Sequence, residues 1–240
     1  MNFNNIRGLL VDIDDTITRL KPSCVGLNGE PPNTGSLFDV LQSAAVEMAG
    51  WKAEEAAAKI VLIQKQIPWW HWSDFIVALG LKPREFWEYA YTRESRYLEA
   101  TGPELRPALE RLDRAGILLY VTSNNPCSGI LHKLRIAGLG DFHRCALFSR
   151  FLGPPELHAS KPETSFWQKA LAHIGLNGDE TAVVGDSLRD DYQVPHSVGI
   201  AGTFLINRTQ DLSAQDTDTL IHVTSFTQIA DRVLDAKSGR

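Results

Sequence analysis

The chain has 240 residues, of which 43% are hydrophobic and 22% charged. This composition is typical of a globular protein with one sizeable core and a smaller accessory unit, and it excludes a disordered or fibrous chain. A net charge of −5 disfavours a general nucleic-acid-binding surface, since such surfaces are usually basic.

Cysteine usage and the N-terminal segment bear on the compartment. Three cysteines without a repeating spacing argue against a disulfide framework or a zinc site. The segment MNFNNIRG lacks the pattern of a signal peptide, and no apolar stretch reaches the length of a membrane span. We therefore expect a cytoplasmic protein that does not bind membranes.

Six short apolar runs predict buried strands. In chain order they occupy residues 7–12, 117–123, 145–149, 181–186, 202–207 and 220–223. The first four are almost continuously apolar, as in parallel strands that are covered on both faces. Helical patterns occupy residues 104–116, 128–139 and 162–176. This alternation predicts an α/β fold with a doubly wound parallel sheet.

The segment from 36 to 100 interrupts the alternation, because it has helical patterns and no convincing strand. Ser36 is a candidate N-cap of its first helix, and Gly50 is a candidate end. We expect two domains, which are an α/β core of residues 1–18 and 104–240 and a helical insertion with hinge segments at 19–103.

Acidic residues follow the first predicted strand in LLVDIDDTIT (9–18). Asp12 and Asp14 are two residues apart, so an extended chain points them the same way. Open α/β sheets place their sites at this carboxyl edge. A polar strand end, with Asp15 and Thr16 capping a turn, explains the same residues. The motif alone leaves both interpretations open.

The strand at 117–123 ends in YVTSNNP (120–126), where hydroxyls and amides precede a helix. Such groups form an anion-binding site or a plain helix N-cap. Lys161 precedes a proline that can begin a helix. A lysine there can neutralise a phosphate, although a solvated lysine is the simpler explanation for Lys161 alone.

The strand at 181–186 ends in AVVGDSLRDDY (183–192). Asp186 is followed by Asp190 and Asp191, and clustered oxygen ligands suit Mg²⁺. Helix N-capping by Asp186 or Ser187 is the alternative. Parallel strands would bring all these polar ends to one edge, where the acids and the lysine require a metal and an anion for charge balance.

In order, DIDDT, TSN, SKP and GDSLRDD resemble the four motifs of the haloacid dehalogenase-like (HAD) hydrolase superfamily. The helical insertion resembles that superfamily's class I cap, and the whole set is similar to its phosphoglycolate phosphatase or nucleotidase branch. The resemblance implies a Rossmann-like core and a Mg²⁺-dependent phosphatase that hydrolyses a small phosphorylated metabolite.

The resemblance also implies roles for residues. Asp12 would be the nucleophile that forms an aspartyl-phosphate, and Asp14 the general acid and then the base. Mg²⁺ would be held by Asp12, the backbone carbonyl of Asp14, and Asp186. The phosphoryl oxygens would be held by Ser123, the Asn124 backbone and Lys161.

Two motifs leave a choice of residue. Thr122 or Ser123 supplies the second-motif hydroxyl, and we prefer Ser123 because SNNP then places Asn and Pro as in the superfamily. Asp190 or Asp191 is the supporting acid of the fourth motif, and GDSLRDD favours Asp191. Asp15 stands where many members have glycine, so it is expected to be dispensable for chemistry.

Other functions are possible for such a chain. A phosphomutase shares the aspartyl-phosphate, and a non-catalytic phospho-binding or signalling module is a further alternative. Dehalogenation is disfavoured because Asp14 would be superfluous there. In the insertion, the tryptophans and His71 of IPWWHWSDF (67–75) could stack on a base or sugar, but packing among helices explains aromatic residues at this spacing more simply.

Overall fold

The structure is a computed structural model that describes residues 3–21, 37–67, 72–141, 145–207 and 216–237. It divides into two compact units. The first comprises Met1–Arg19 and Ala100–Arg240, and the second comprises Leu20–Glu99. Ser36 and His71, two residues named from the sequence, lie outside the described ranges.

The strands in chain order are β1 Gly8–Val11, β2 Thr18–Leu20, β3 Leu98–Ala100, β4 Leu118–Thr122, β5 Arg150–Leu152, β6 Thr181–Gly185, β7 Gly202–Ile206 and β8 Leu220–Val223. The helices are α1 Leu37–Ala49, α2 Ala53–Gln64, α3 Trp72–Ala78, α4 Pro83–Glu94, α5 Leu105–Arg114, α6 Cys127–Ile136, α7 Pro154–Leu157, α8 Thr164–Ile174, α9 Val194–Ser197 and α10 Phe226–Lys237. A π-helix spans Leu188–Gln193.

Within the described residues, six strands of the first unit form a parallel sheet in the order β5-β4-β1-β6-β7-β8. β1 lies near the middle, where Leu9 is opposite Leu119 on β4 and Ala182 on β6. Because all six strands run the same way, their carboxyl ends meet at one edge. The residues that directly follow β1, β4 and β6 therefore lie at that edge.

Both faces of the sheet are covered. Leu9 and Val11 of β1 belong to a cluster of buried side chains with α5, α6 and α10. Leu10, which points to the opposite face, packs with the buried aromatic residues of α8. Continuous burial along β1 explains its unbroken apolar sequence. The predicted fold class, a doubly wound parallel α/β core with an inserted helical domain, is confirmed.

The second unit contains α1 to α4. Gly50 follows the last residue of α1 with a φ of 73°, a left-handed conformation that favours glycine and ends helices. Trp72 and Phe75 are buried, and the ring of Phe38 lies 4.7 Å from Trp72 and 5.6 Å from Phe75 between centroids. Trp72 therefore packs within the unit, as its spacing predicts, whereas Trp69 and Trp70 lie outside the described residues.

Two strand predictions are wrong. The run at 145–149 forms turns, and the edge strand β5 begins at Arg150. Cys145 and Phe148 are buried all the same and belong to the main core cluster, so their hydrophobicity reflects core packing rather than strand pairing. The segment up to residue 100 also ends in a strand, because β3 pairs with β2 in a two-stranded sheet. Each of these strands has three residues, too few to show a period of two.

In the part of the chain that the structure describes, none of the helices combines the length and the apolar character needed to cross a bilayer.

Adjacent leucines on β4 test how the sheet is stabilised. Leu119 is 1% exposed and Leu118 is 40% exposed. Leu119→Ala should lower the free energy of unfolding by about 2–5 kcal/mol, because it leaves a cavity in the core. Leu118→Ala should cost less than about 1 kcal/mol, since much of this side chain already meets water. Urea unfolding followed by circular dichroism measures both, and equal losses would contradict the assigned faces of β4.

Candidate active site

Three carboxylates cluster at the carboxyl edge of the sheet. Asp12 directly follows β1, Asp186 directly follows β6, and Asp191 lies in the π-helix after β6. Each offers an oxygen within 4.8 Å of the other two. Asp12 and Asp191 are buried, whereas Asp186 is exposed. The structure thus brings together Asp12 and Asp186, the predicted metal ligands, with Asp191, the predicted supporting acid.

Local structure places Asp191, rather than Asp190, beside the other two carboxylates. The hydroxyl of Ser187 caps the π-helix by accepting from the backbone N–H of Asp190 at 3.1 Å. The carboxylate of Asp191 turns back and accepts from the backbone N–H of Ser187 at 3.1 Å. A Cβ on Gly185 would lie 2.2 Å from the Asp191 carboxyl carbon. Glycine at position 185 is therefore what lets this carboxylate approach the strand end.

The ammonium of Lys161 lies between the two buried acids. Its Nζ is 2.7 Å from Asp12 Oδ1 and 2.5 Å from Asp191 Oδ1. The backbone of Lys161 is held on both sides, since its N–H donates to Asn124 Oδ1 and its carbonyl accepts from the Trp167 indole, each at 2.9 Å. Buried charges are tolerated when they are paired in this way. Lys161 is therefore a buried partner of the acids and not a solvated surface lysine.

The cluster carries more negative charge than Lys161 offsets. Burial raises the pKa of Asp12 to about 8, with Asp191 and Asp14 adding to the rise against the opposing effect of Lys161. Burial, Asp191 and Asp15 together raise the pKa of Asp186 to about 6. Burial alone would lower the pKa of Lys161, but the two acids raise it. Crowded carboxylates of this kind are relieved by a bound cation.

Asp14 has a different environment. It is exposed at the same edge, and its Oδ2 accepts from Asn125 Nδ2 at 2.7 Å while its Oδ1 pairs with the Lys133 ammonium. Desolvation would raise the pKa of Asp14, but Lys133 and the Asn125 hydrogen bond outweigh it and lower the pKa. Asp15 then turns the chain with a φ of 53°. Glycine adopts this conformation most easily, and Asp is among the residues that tolerate it.

The second motif contributes Ser123. Its hydroxyl oxygen accepts from Asn125 twice, from the backbone N–H at 3.1 Å and from Nδ2 at 2.9 Å. Since that Nδ2 also binds Asp14, Ser123 belongs to the site. The hydroxyl of Thr122 is buried and makes no hydrogen bond with the described residues. The geometry therefore favours Ser123 over Thr122.

Two site residues escaped the sequence analysis, Asn125 and Lys133. Asn125 lies inside the polar stretch YVTSNNP (120–126), where no local feature distinguishes it from Asn124. Lys133 lies on α6 one turn after the buried Ile130, and its side chain is only 12% exposed. A lysine at i+3 from a core residue lies on the inward side of its helix. The spacing of Lys133 from Ile130 is thus the sequence feature that indicates an inward-facing lysine.

The carboxylates fit a divalent cation. Mg²⁺ prefers oxygen ligands, takes few carboxylates and keeps several waters. Asp12, Asp186 and Asp191 supply such oxygens within one cluster. A bound cation would reduce the electrostatic repulsion among these carboxylates. The site residues implied by the resemblance thus meet around a place where a metal and an anion would balance each other.

Known proteins resemble this chain in sequence and in fold. The sequence model of the haloacid dehalogenase-like hydrolases matches residues 6–199. A phosphoglycolate phosphatase of Pectobacterium atrosepticum is 24% identical over 202 residues, which cover 81% of this chain and 77% of the relative. Among solved structures, a HAD phosphatase from Thermococcus onnurineus has a TM-score of 0.60 at 23% identity, covering 97% of this chain and 99% of the other. A 2-haloacid dehalogenase from Pseudomonas syringae pv. tomato DC3000 has a TM-score of 0.62 at 21% identity, covering 95% and 98%.

The carboxylate cluster makes a prediction about stability. Magnesium at about 100 times its dissociation constant should stabilise the folded protein by about 2.7 kcal/mol, or roughly 5–10 °C in melting temperature for a chain of this size. Asp186→Asn should reduce that shift by at least about half, because a ligand charge is lost. Without metal this variant should melt no lower than the parent, because a repelling charge is gone.

Differential scanning fluorimetry with and without Mg²⁺ measures both effects. Asp113→Asn is a matched control, because Asp113 is exposed on α5. A magnesium shift that is the same in Asp186→Asn and in the parent would contradict a role of Asp186 in metal binding.

Proposed function

This chain belongs to the haloacid dehalogenase-like hydrolases, and we propose that it is a Mg²⁺-dependent phosphatase of small phosphate monoesters. The observation that carries the proposal is the arrangement of Asp12. This acid is in contact with the buried Lys161 ammonium, shares a cluster with two further carboxylates, and lies two residues before an oriented second acid. The phosphatase names of similar curated proteins support the same reaction class.

Asp12 is the proposed nucleophile. Its carboxylate attacks phosphorus, an Asp12–phosphate bond forms, and the bond from phosphorus to the ester oxygen breaks. Lys161 lies 2.7 Å from the attacking carboxylate, and its ammonium is proposed to bind the phosphoryl oxygens. The hydroxyl of Ser123, which is linked to Asp14 through Asn125, is the second proposed donor. Charge on the transferring group is stabilised by such fixed donors.

Asp14 is the proposed acid and base. In the first half of the reaction it gives a proton to the departing alkoxide, so the leaving group departs as an alcohol. The negative charge of a phosphate ester next to Asp14 favours the protonated carboxyl that this step needs. In the second half Asp14 takes a proton from the water that attacks phosphorus. Inorganic phosphate leaves, and Asp12 is regenerated.

Asp12, Asp186 and Asp191 are the proposed holders of Mg²⁺, together with the backbone carbonyl of Asp14 that the family resemblance implies. When bound, the ion would supply positive charge that offsets the repulsion between a carboxylate and a phosphate. The three side-chain oxygens within 4.8 Å of one another support this assignment.

The second acid favours phosphate esters over organic halides. A halide ion leaves without a proton, so a reaction that releases it has no use for an acid at position 14. Asp14 is nevertheless held through both of its oxygens. A carboxyl group held in a fixed position suits a reaction whose leaving group requires protonation.

The decisive test is phosphate release from p-nitrophenyl phosphate in the presence of Mg²⁺. Asp12→Asn should reduce the rate to the uncatalysed background, because an amide cannot form the acyl phosphate. Excess EDTA should abolish activity, and added Mg²⁺ should restore it. Asp113→Asn, the same substitution at an exposed position of α5, should retain the parent rate. Undiminished turnover in Asp12→Asn or in EDTA would refute the proposal.

A further inference from the structure

Lys133 and Asn125 hold the carboxylate of Asp14 from two sides. The Lys133 ammonium pairs with Oδ1, and the Asn125 side-chain amide donates to Oδ2 at 2.7 Å. A carboxylate bound through both oxygens has lost the rotation that an exposed aspartate ordinarily keeps. Asp14 is 52% exposed, so packing does not restrain it and these polar contacts do.

The two holding residues are themselves fixed. Lys133 lies on α6, whose buried neighbours Ile130 and Leu134 anchor the helix in the core, and its own side chain is only 12% exposed. Asn125 is tied to Ser123 through its backbone N–H and its side chain. The position of Asp14 is thus linked to the hydroxyl proposed to hold the phosphate.

We propose that Lys133 is a positioning residue which, together with Asn125, holds the Asp14 carboxyl in place to protonate the leaving oxygen. This inference rests on the proposed phosphatase function. Positioned acids contribute to the rate only when they lie within hydrogen-bond reach of the atom that receives the proton. Lys133 acts through Asp14 and has no contact with the phosphoryl group in this assignment.

The basicity of the leaving group discriminates this role from others. p-Nitrophenolate is a weak base that departs without a proton, whereas phenolate is far more basic and benefits from an acid. Both esters have nearly the same shape. A lysine that positions Asp14 should therefore matter more for phenyl phosphate than for p-nitrophenyl phosphate, while a lysine that binds the phosphoryl group should matter equally for both.

The experiment compares the parent with Lys133→Met, Lys133→Arg and Lys169→Met on the two esters in Mg²⁺. Lys133→Met should lower kcat about tenfold more on phenyl phosphate than on p-nitrophenyl phosphate, with KM changed less than about threefold. Lys133→Arg should recover most of the loss, because it restores a cation next to Asp14. Lys169→Met is the matched control, since Lys169 donates to the carbonyls of Leu157 and His158, and it should behave as the parent.

A double-mutant cycle tests whether Lys133 acts through Asp14. Lys133→Met should cause little further loss in an Asp14→Asn background, because there is no acid left to position. Equal losses on both esters in the single variant, or a fully additive loss in the double variant, would overturn the inference.

Failure of this inference is distinguishable from failure of the proposed function. If the parent protein releases phosphate from neither ester in Mg²⁺, the phosphatase proposal itself is wrong, and this inference with it. If the parent is active and Lys133→Met shows the parent's ratio of rates on the two esters, the phosphatase proposal stands and only the role of Lys133 is refuted.

Discussion

The pairing of one buried ammonium with two buried carboxylates governs the architecture of this site. A charge removed from water is costly unless a partner compensates it, and Lys161 lies against both Asp12 and Asp191. The surrounding structure serves to keep those three groups together. Gly185 leaves space for the Asp191 carboxyl, the π-helix turns it inward, and the Trp167 indole holds the backbone of Lys161. Because the acids outnumber this lysine, the cluster favours a cation.

Two chemically identical side chains two residues apart acquire opposite properties here. Asp12 is buried among other acids and its pKa is raised, whereas Asp14 is exposed beside a lysine and an amide and its pKa is lowered. The difference between these two carboxylates therefore arises from the neighbours of each residue and not from residue type. Those neighbours come from elements distant in sequence, which is why the sheet edge is the natural place for such a pair.

The sequence predicts the buried strands and the polar residues that follow them, because both leave a local pattern. Unbroken apolar runs predicted β1, β4 and β6, and the polar residues directly after them marked the site edge. The features that depend on distant contacts are not predictable from local patterns. The run around Phe148 is apolar because it is buried in the core, and burial without strand pairing has the same local pattern as a buried strand. Lys133 is 119 residues from Asp14 in the chain, and no motif near either residue predicts their contact. The family resemblance implies roles for the residues that follow the strands, whereas the contact of Lys133 depends on which face of α6 is buried.

Because neighbouring strands of the parallel sheet are far apart in the chain, they are synthesised at different times. Asp12 and Lys161 are 149 residues apart in the chain, and ribosomes add about 5–20 residues per second, so roughly 7–30 seconds pass between them. For most of that interval β1 has emerged without β4, which begins only at Leu118, and β6 is made after Lys161. The segment between β1 and β4 contains helices with neighbours close in sequence. An apolar strand that has not yet paired with its neighbours is prone to aggregation. The charged residues just beyond Val11, which later form the site, also break the aggregation-prone apolar segment during this period.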